Sequence, residues 1–178
     1  MLGERWKSAA MIRFVLANAA FSLAYFGEDI DAMVALLDRA LSLNPSFARG
    51  WHLSGVLRLW AGQPDAAIER LGKALRLSPR ARVGWSHADL GAAHFISRRF
   101  EEAAELRLVI QEDPSLPLAH RFLAACYAHM GRVDDARRVV EQLRAITPAI
   151  VPDASYLRNP EHRELYLSGL RMAMGETA

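Results

Sequence analysis

The residues able to carry chemistry are few and scattered. Histidines stand at His52, His87, His94, His120, His129 and His162. A metal-binding helix sets two imidazoles four residues apart, so that both reach one ion from one face. No histidine pair here has that spacing, and His87 and His94 are two turns apart. Cys126 is the single cysteine, which excludes a disulfide framework and a cysteine-based zinc site. It lies among Ala124, Ala125 and Tyr127 with no base near it in sequence, a small packing residue rather than a nucleophile. No Gly-x-Gly pair is present to cradle a phosphate. In Gly50–Gly55 the serine, Ser54, does not have the Gly-x-Ser-x-Gly spacing of a nucleophile elbow. The sequence therefore predicts no catalytic residue, no metal site and no cofactor.

The charges give one run worth weighing. Arg70, Lys73, Arg76, Arg80 and Arg82 have no acid between them, and the first three share one helical stripe. Over the whole chain 22 basic residues stand against 20 acidic ones, a formal charge of +2. Without a general basic excess or aromatics interleaved for base stacking, the run reads as a solvated helix face, with a surface for a phosphate-rich or acidic partner as the alternative, and no nucleic acid is expected as partner. Arg5, Lys7 and Arg13 precede an apolar stretch from Phe14 to Phe26. Asn18 and Ser22 interrupt that stretch and no small-residue cleavage site closes it, so a repeat helix is expected there rather than a signal peptide. No apolar run reaches the ~18 residues needed to span a bilayer. A cytoplasmic location is expected.

The elements that must position these residues are helices. Of 178 residues, 30 are alanine and 24 leucine, a strongly helix-favouring composition, and 52% are hydrophobic, enough for a real core. Pro45, Pro79, Pro114 and Pro148 follow one another at intervals of 34, 35 and 34 residues. Each lacks an N–H and disfavours helix in the residue before it, so each is expected to end a helix and open a turn. Small residues recur at fixed places: Gly55, Ala67 and Ala74 in one period, Ala124 and Ala136 in the last. The spacing from Gly55 to Gly91 is 36, which puts two extra residues around Arg80–Val83. From Ala103 to Ala136 it is only 33, so the second helix of the third period has lost one. Beyond Pro148 the period breaks. Ala154–Arg158 is expected to form a short helical turn, and Asn159-Pro160-Glu161 reads as N-cap, first helical proline and favourable acid. The helix that follows carries Leu165, Leu167, Leu170 and Met174, with Gly175 to end it, and is expected to cap the last exposed apolar face.

A period of ~34 residues with two helices in each, with Trp51-x-x-Ser54-Gly55, Gly62, Ala67, Leu71, Ala74 and Pro79 in its best copy, resembles the tetratricopeptide repeat family over nearly the whole chain. The resemblance implies an all-α, right-handed superhelix of four helix-turn-helix repeats plus a capping helix. The expected repeats are 14–47, 48–81, 82–116 and 117–150, with 151–178 as the capping segment. Three sequence runs also resemble the tetratricopeptide regions found at the C-terminus of bacterial class III adenylate or guanylate cyclases and behind some winged-helix regulators. They are Ala92–Phe95 with Arg99–Ala104, Phe122–Ala125 with Gly131–Arg137, and Arg158–Glu161 with Leu167–Arg171. No cyclase domain lies within these residues, so no catalytic residue carries over.

In tetratricopeptide arrays the first helix of each repeat lines a concave groove. The resemblance places there Asn18, Ser22, Tyr25 and Phe26; Arg49, His52, Val56, Leu59 and Trp60; Trp85, Ala92, Phe95 and Ile96; and Arg121, Ala125 and His129. This groove is aromatic and aliphatic with cationic points, the make-up of an interaction surface. Family members that hold a C-terminal carboxylate use Lys and Asn at set groove positions. Only Asn18 is comparable here, so binding of chaperone tails is not expected. The expected function is a non-catalytic module that binds a protein, peptide or helix in the groove and serves as the regulatory or assembly tail of a cyclase. The alternative is a homodimerisation module. Two other fates for the groove stay open: Trp60 and Phe95 pack between neighbouring repeats, or the C-terminal segment folds back over them.

Overall fold

In the computed structural model the backbone is described for residues 2–27, 29–79 and 83–176, and the side chains for 14–27, 29–79 and 84–176. The expected insertion around Arg80–Val83, and the basic residues Arg80 and Arg82, lie outside the described side chains. The elements run α1 (Leu2–Tyr25), α2 (Ile30–Leu43), α3 (Ala48–Trp60), α4 (Pro64–Leu77), α5 (Val83–Ile96), α6 (Phe100–Ala103), α7 (Leu106–Glu112), α8 (Pro117–His129), α9 (Val133–Arg144) and α10 (Pro160–Met174). No strand occurs among the described residues. The chain forms two compact units, Met1–Pro79 and Arg80–Ala178.

Local chemistry fixes the helix ends. Asp29 Oδ1 accepts from the N–H groups of Asp31 (3.0 Å) and Ala32 (3.3 Å), satisfying two orphan donors at the start of α2. Asn159 does the same for α10 through Glu161 (2.8 Å) and His162 (3.2 Å), with Pro160 next to it. Helices α2, α4 and α7 stop two residues before Pro45, Pro79 and Pro114. Helix α9 stops earlier, at Arg144, where the N–H groups of Ile146 and Thr147 both turn back to the Leu143 carbonyl. Ala154–Arg158 holds a single turn, closed by Leu157 N–H on the Ala154 carbonyl, and no helix.

The turn joining the helices of a hairpin is built the same way at three places. Gln63 N–H reaches the Arg58 carbonyl, Arg99 the His94 carbonyl and Arg132 the Tyr127 carbonyl, each spanning six residues around a left-handed residue. That residue is Gly62 (φ 81°) in the second hairpin, Gly131 (φ 73°) in the fourth, and Arg98 (φ 57°) in the third. Close helix approach within a hairpin uses a second glycine: a Cβ on Gly55 would stand 2.6 Å from Leu71 Cγ, and one on Gly91 2.5 Å from Leu106 Cγ.

The residue missing from the third hairpin has a structural counterpart. Where α6 meets α7, Glu105, Arg107 and Leu108 donate to the carbonyls of Glu102, Ala104 and Glu105, three residues back instead of four. Tightened turns rise about 2.0 Å per residue against about 1.5 Å in an α-helix, so three residues cover the ~6 Å that four would. The second helix thus spans its length one residue short, at the cost of a break at Ala104 and Glu105.

In the first unit α1 pairs with α2 and α3 with α4, and α3 packs on both preceding helices. Leu37, Leu57, Ala67 and Leu71 are fully buried at its centre. Trp51 donates its indole N–H to the Pro45 carbonyl (2.8 Å) and packs with Leu41, Phe47 and Ala74. In the second unit α5 pairs with α6 and α7, and α8 with α9. Phe95, Leu106, Phe122, Leu143, Leu157, Tyr166 and Leu170 form its core, each worth about 1.5–3 kcal/mol of burial.

Candidate partner-binding faces

Each unit presents a face made by its first helices, and the two faces differ. In the first unit α1 supplies a run without charge from Phe14 to Gly27, and its aromatics gather against α3. Phe21 lies 4.9 Å from Trp60 and Tyr25 lies 6.0 Å from it, while Phe26 meets Tyr25 edge-on at 5.6 Å. Trp60 and Leu59 are buried beneath them, whereas Phe26 is 82% exposed, Tyr25 58% and Phe14 49%. Phe21 stands where the second and third hairpins have Gly55 and Gly91, and its ring packs on Trp60. Arg49 donates to Asn18 Oδ1 (2.6 Å from Nη2), Asn18 donates to the Phe14 carbonyl (2.7 Å), and the Arg49 guanidinium lies 5.5 Å from the Phe14 ring centre. This arrangement holds one cation at the edge of an aromatic patch. His52 is half-buried in the same helix, and Val56 is buried.

The basic run of α4 has an intramolecular use. Arg70 and Lys73 both sit over the Trp51 ring, at 4.9 and 3.7 Å, and Arg70 pairs with Asp38, which also accepts from Arg58. Charge that the sequence left as a solvated stripe is thus partly spent on clamping an indole.

In the second unit the expected groove residues are covered. Phe95 is 0% exposed and Ile96 3%. Phe95 is ringed by Phe100, Phe122, His129 and Tyr166 at 5.5–6.3 Å. Arg121 donates to the carbonyls of Ala149 (2.6 Å) and Ile150 (3.1 Å), and His129 Nε2 donates to the Leu165 carbonyl (2.8 Å) while stacking on Phe100. Both open fates for the groove are met in this unit: Phe95 packs between neighbouring repeats, against Phe122, and the C-terminal segment folds back over it through Tyr166. Ala92 and Ala125 are buried with them, and Trp85 stays half-exposed. The stripe that α10 buries is Leu165, Tyr166, Gly169, Leu170 and Ala173, while Leu167 and Met174, the other apolar residues named on this helix from the sequence, are only half-buried. Sequence reasoning gave no contact role to Tyr166, nor to Gly169, which it quoted only within the run Leu167–Arg171. The mid-helix glycine three residues after a tyrosine was the available signal.

Burial pushes the Cys126 thiol up to about 12, so it stays protonated near neutral pH and donates to the Phe100 carbonyl (3.1 Å). His87 and His94 line a cavity of ≈ 370 Å³ with Glu102, Glu105 and Glu112 between α5 and α7. Among the described residues no group of three or more His, Cys, Asp or Glu is arranged to hold a metal ion, and no helix is long and apolar enough to cross a membrane.

Known proteins share this architecture. The tetratricopeptide repeat family model matches residues 95–159. The cytochrome c-type biogenesis protein CycH of Rhizobium meliloti (strain 1021) is 26% identical over 137 residues, which are 75% of this chain and 35% of that one. The chain therefore spans about a third of the length of the curated relative it matches. Among solved structures, TTC0263, a thermophilic TPR protein of Thermus thermophilus, superposes with a TM-score of 0.68 at 21% identity, over 92% of this chain and 83% of its own. A MamA structure gives 0.65 at 20% over 92% and 90%. YrrB, described as a TPR protein with an unusual peptide-binding site, gives 0.60 at 22% over 90% and 84%. At these identities the likeness is one of fold, and the fold is the tetratricopeptide solenoid.

Proposed function

From this tetratricopeptide fold, we propose that the chain is a non-catalytic interaction module that holds a peptide or helix on the first-helix face of its first unit. One observation carries the reading. Tyr25, Phe26 and Phe14 are exposed there beside Arg49, while the matching face of the second unit is covered by the chain itself. Exposed aromatics and an arginine in one patch are the anchors that dominate binding energy. The peptide-binding site of YrrB on the same fold supports the peptide reading. Trp60 and Phe95 are too buried to touch a partner, so their replacement would test folding rather than binding.

The test pairs Tyr25→Glu with Phe26→Glu. A phage-displayed peptide library is panned against both chains, and native mass is measured by light scattering. Peptides enriched on the native chain and lost on the variant, at unchanged mass, support the proposal. A fall from dimer to monomer mass supports the rival, a homodimerisation module. If neither changes, this face is not the site. Service to a class III cyclase in a bacterial cytoplasm is a narrower form of the proposal. It is supported by the sequence runs around Ala92, Gly131 and Arg158, and co-purification of a cyclase with the tagged chain tests it.

A further inference from the structure

The segment after α9 does not stack as a further repeat would. In the first unit α3 follows α2 and packs on it more closely than on α1; α10 instead packs chiefly against the first helix α8, less on α9, and reaches α5. The contacts are those of a receptor and a ligand. Fixed side-chain donors on α8, Arg121 and His129, hold main-chain carbonyls of the segment at Ala149, Ile150 and Leu165. Side-chain selection rests on two points. Tyr166 is fully buried and stacks on Phe122 (4.2 Å, planes 10° apart). Gly169 marks the helix crossing, where a Cβ would stand 2.8 Å from Ala125 Cβ and 2.9 Å from the His129 ring. An apolar helix stripe laid into a groove is how peptide-binding folds hold helices. The connection to α10 is irregular, punctuated by Pro148, Pro152 and Pro160. It is tied by side chains to carbonyls, as Arg163 to Leu157 (2.7 Å), rather than by a helix ladder.

We propose that the first-helix face of the second unit is a helix-binding site and that residues 149–174 are its internal ligand, a strap that keeps the site shut. The external ligand that fits it is an apolar helix with glycine at the crossing and an aromatic ring three residues before. The tether holds the strap at an effective concentration on the order of millimolar, so such a ligand must outcompete it or meet a chain whose strap is loosened. The proposal is independent of the reading of the first unit.

The experiment uses the full chain and a fluorescently labelled synthetic peptide of residues 149–176. Gly169→Trp places an indole at the crossing while leaving every receptor residue in place. This variant is expected to bind the peptide at least about tenfold more tightly than the native chain, and His129→Ala in the same background to weaken it again. Hydrogen exchange should quicken across 149–174 and stay unchanged in α8 and α9. Loss of protection in α8 and α9 together with the segment, including outright unfolding of the variant, overturns the proposal, because the segment is then inseparable from the core. So does an opened chain that takes up the peptide no better than the native one. Native-state exchange on the unmodified chain gives a second reading: α10 opening before α8 and α9 supports the strap, and opening only with them overturns it.

Discussion

Arg98 occupies, at φ 57°, the turn position that Gly62 occupies at φ 81° in the preceding hairpin. Left-handed backbone costs an L-residue about 1–2 kcal/mol, and glycine returns part of that gain through its freer unfolded chain. Arg98→Gly is therefore expected to stabilise the protein by about 0.5–1 kcal/mol, raising Tm by roughly 1–4 °C in a scanning calorimeter. An unchanged or lower Tm would show that the arginine side chain contributes more than the strain removes.

Two helix glycines should respond in opposite directions to alanine. Gly91→Ala drives a methyl to within 2.5 Å of Leu106 Cγ, an overpacking that costs about 1–3 kcal/mol. At Gly72 the nearest atom is Arg76 Nη1 at 3.4 Å, the end of a flexible side chain, so alanine there should gain roughly 0.5–1 kcal/mol of helix propensity. Urea midpoints of the two variants decide the matter, and equal shifts would contradict the packing described.

Phe122→Ala removes the ring on which Tyr166 lies and opens a cavity beside Phe95. A loss of about 3–5 kcal/mol is expected in chemical denaturation. A loss below about 1 kcal/mol would mean that the aromatic cluster is not a core.

Stability should fall on mild acidification. Burial lowers the pKa of His94 and of His162, against a smaller opposing pull from Glu102 and Glu161, and Nδ1 of each is enclosed without a hydrogen-bond partner. The unfolded chain takes up these protons near pH ~6.5 while the folded chain does not. Below that point the unfolded state binds more protons and stability drops, until the folded histidines also titrate. Tm is expected to fall between about pH 7 and pH 5, and the slope to shrink in His94→Gln. Asp113, Asp135 and Asp153 are held low chiefly by hydrogen bonds from Ser115, Arg132 and Ser155. Their share of stability is complete above pH ~3.9 and is lost as pH falls below it. A pH-independent Tm in the upper range would remove the histidines from this account.

The hairpins were legible because their signals are local. Pro45, Pro79 and Pro114 end helices through their own missing N–H and fixed ring, and Asn159 caps the helix that begins beside it. The shortened third hairpin was legible as a spacing, but its remedy was not. A lost residue can be absorbed by a bulge, a shift or a tightened turn, and only the packing of Leu106 against Gly91 fixes which.

The candidate groove was less legible. Tyr25 and Phe26 stand exposed, whereas Phe95 and Ile96 are buried and Arg121 and His129 are engaged by a segment far along the chain. The sequence by itself determined helical hairpins, their turns and the small residues that let helices touch, because each depends on atoms within a few residues. Tertiary structure alone decided which first-helix residues remain open. His129 meets Leu165 across 36 residues of chain, and whether such a pair forms depends on where α10 can bury Tyr166 and cross at Gly169. That is a competition among whole surfaces for apolar contact, and no local spacing encodes its outcome.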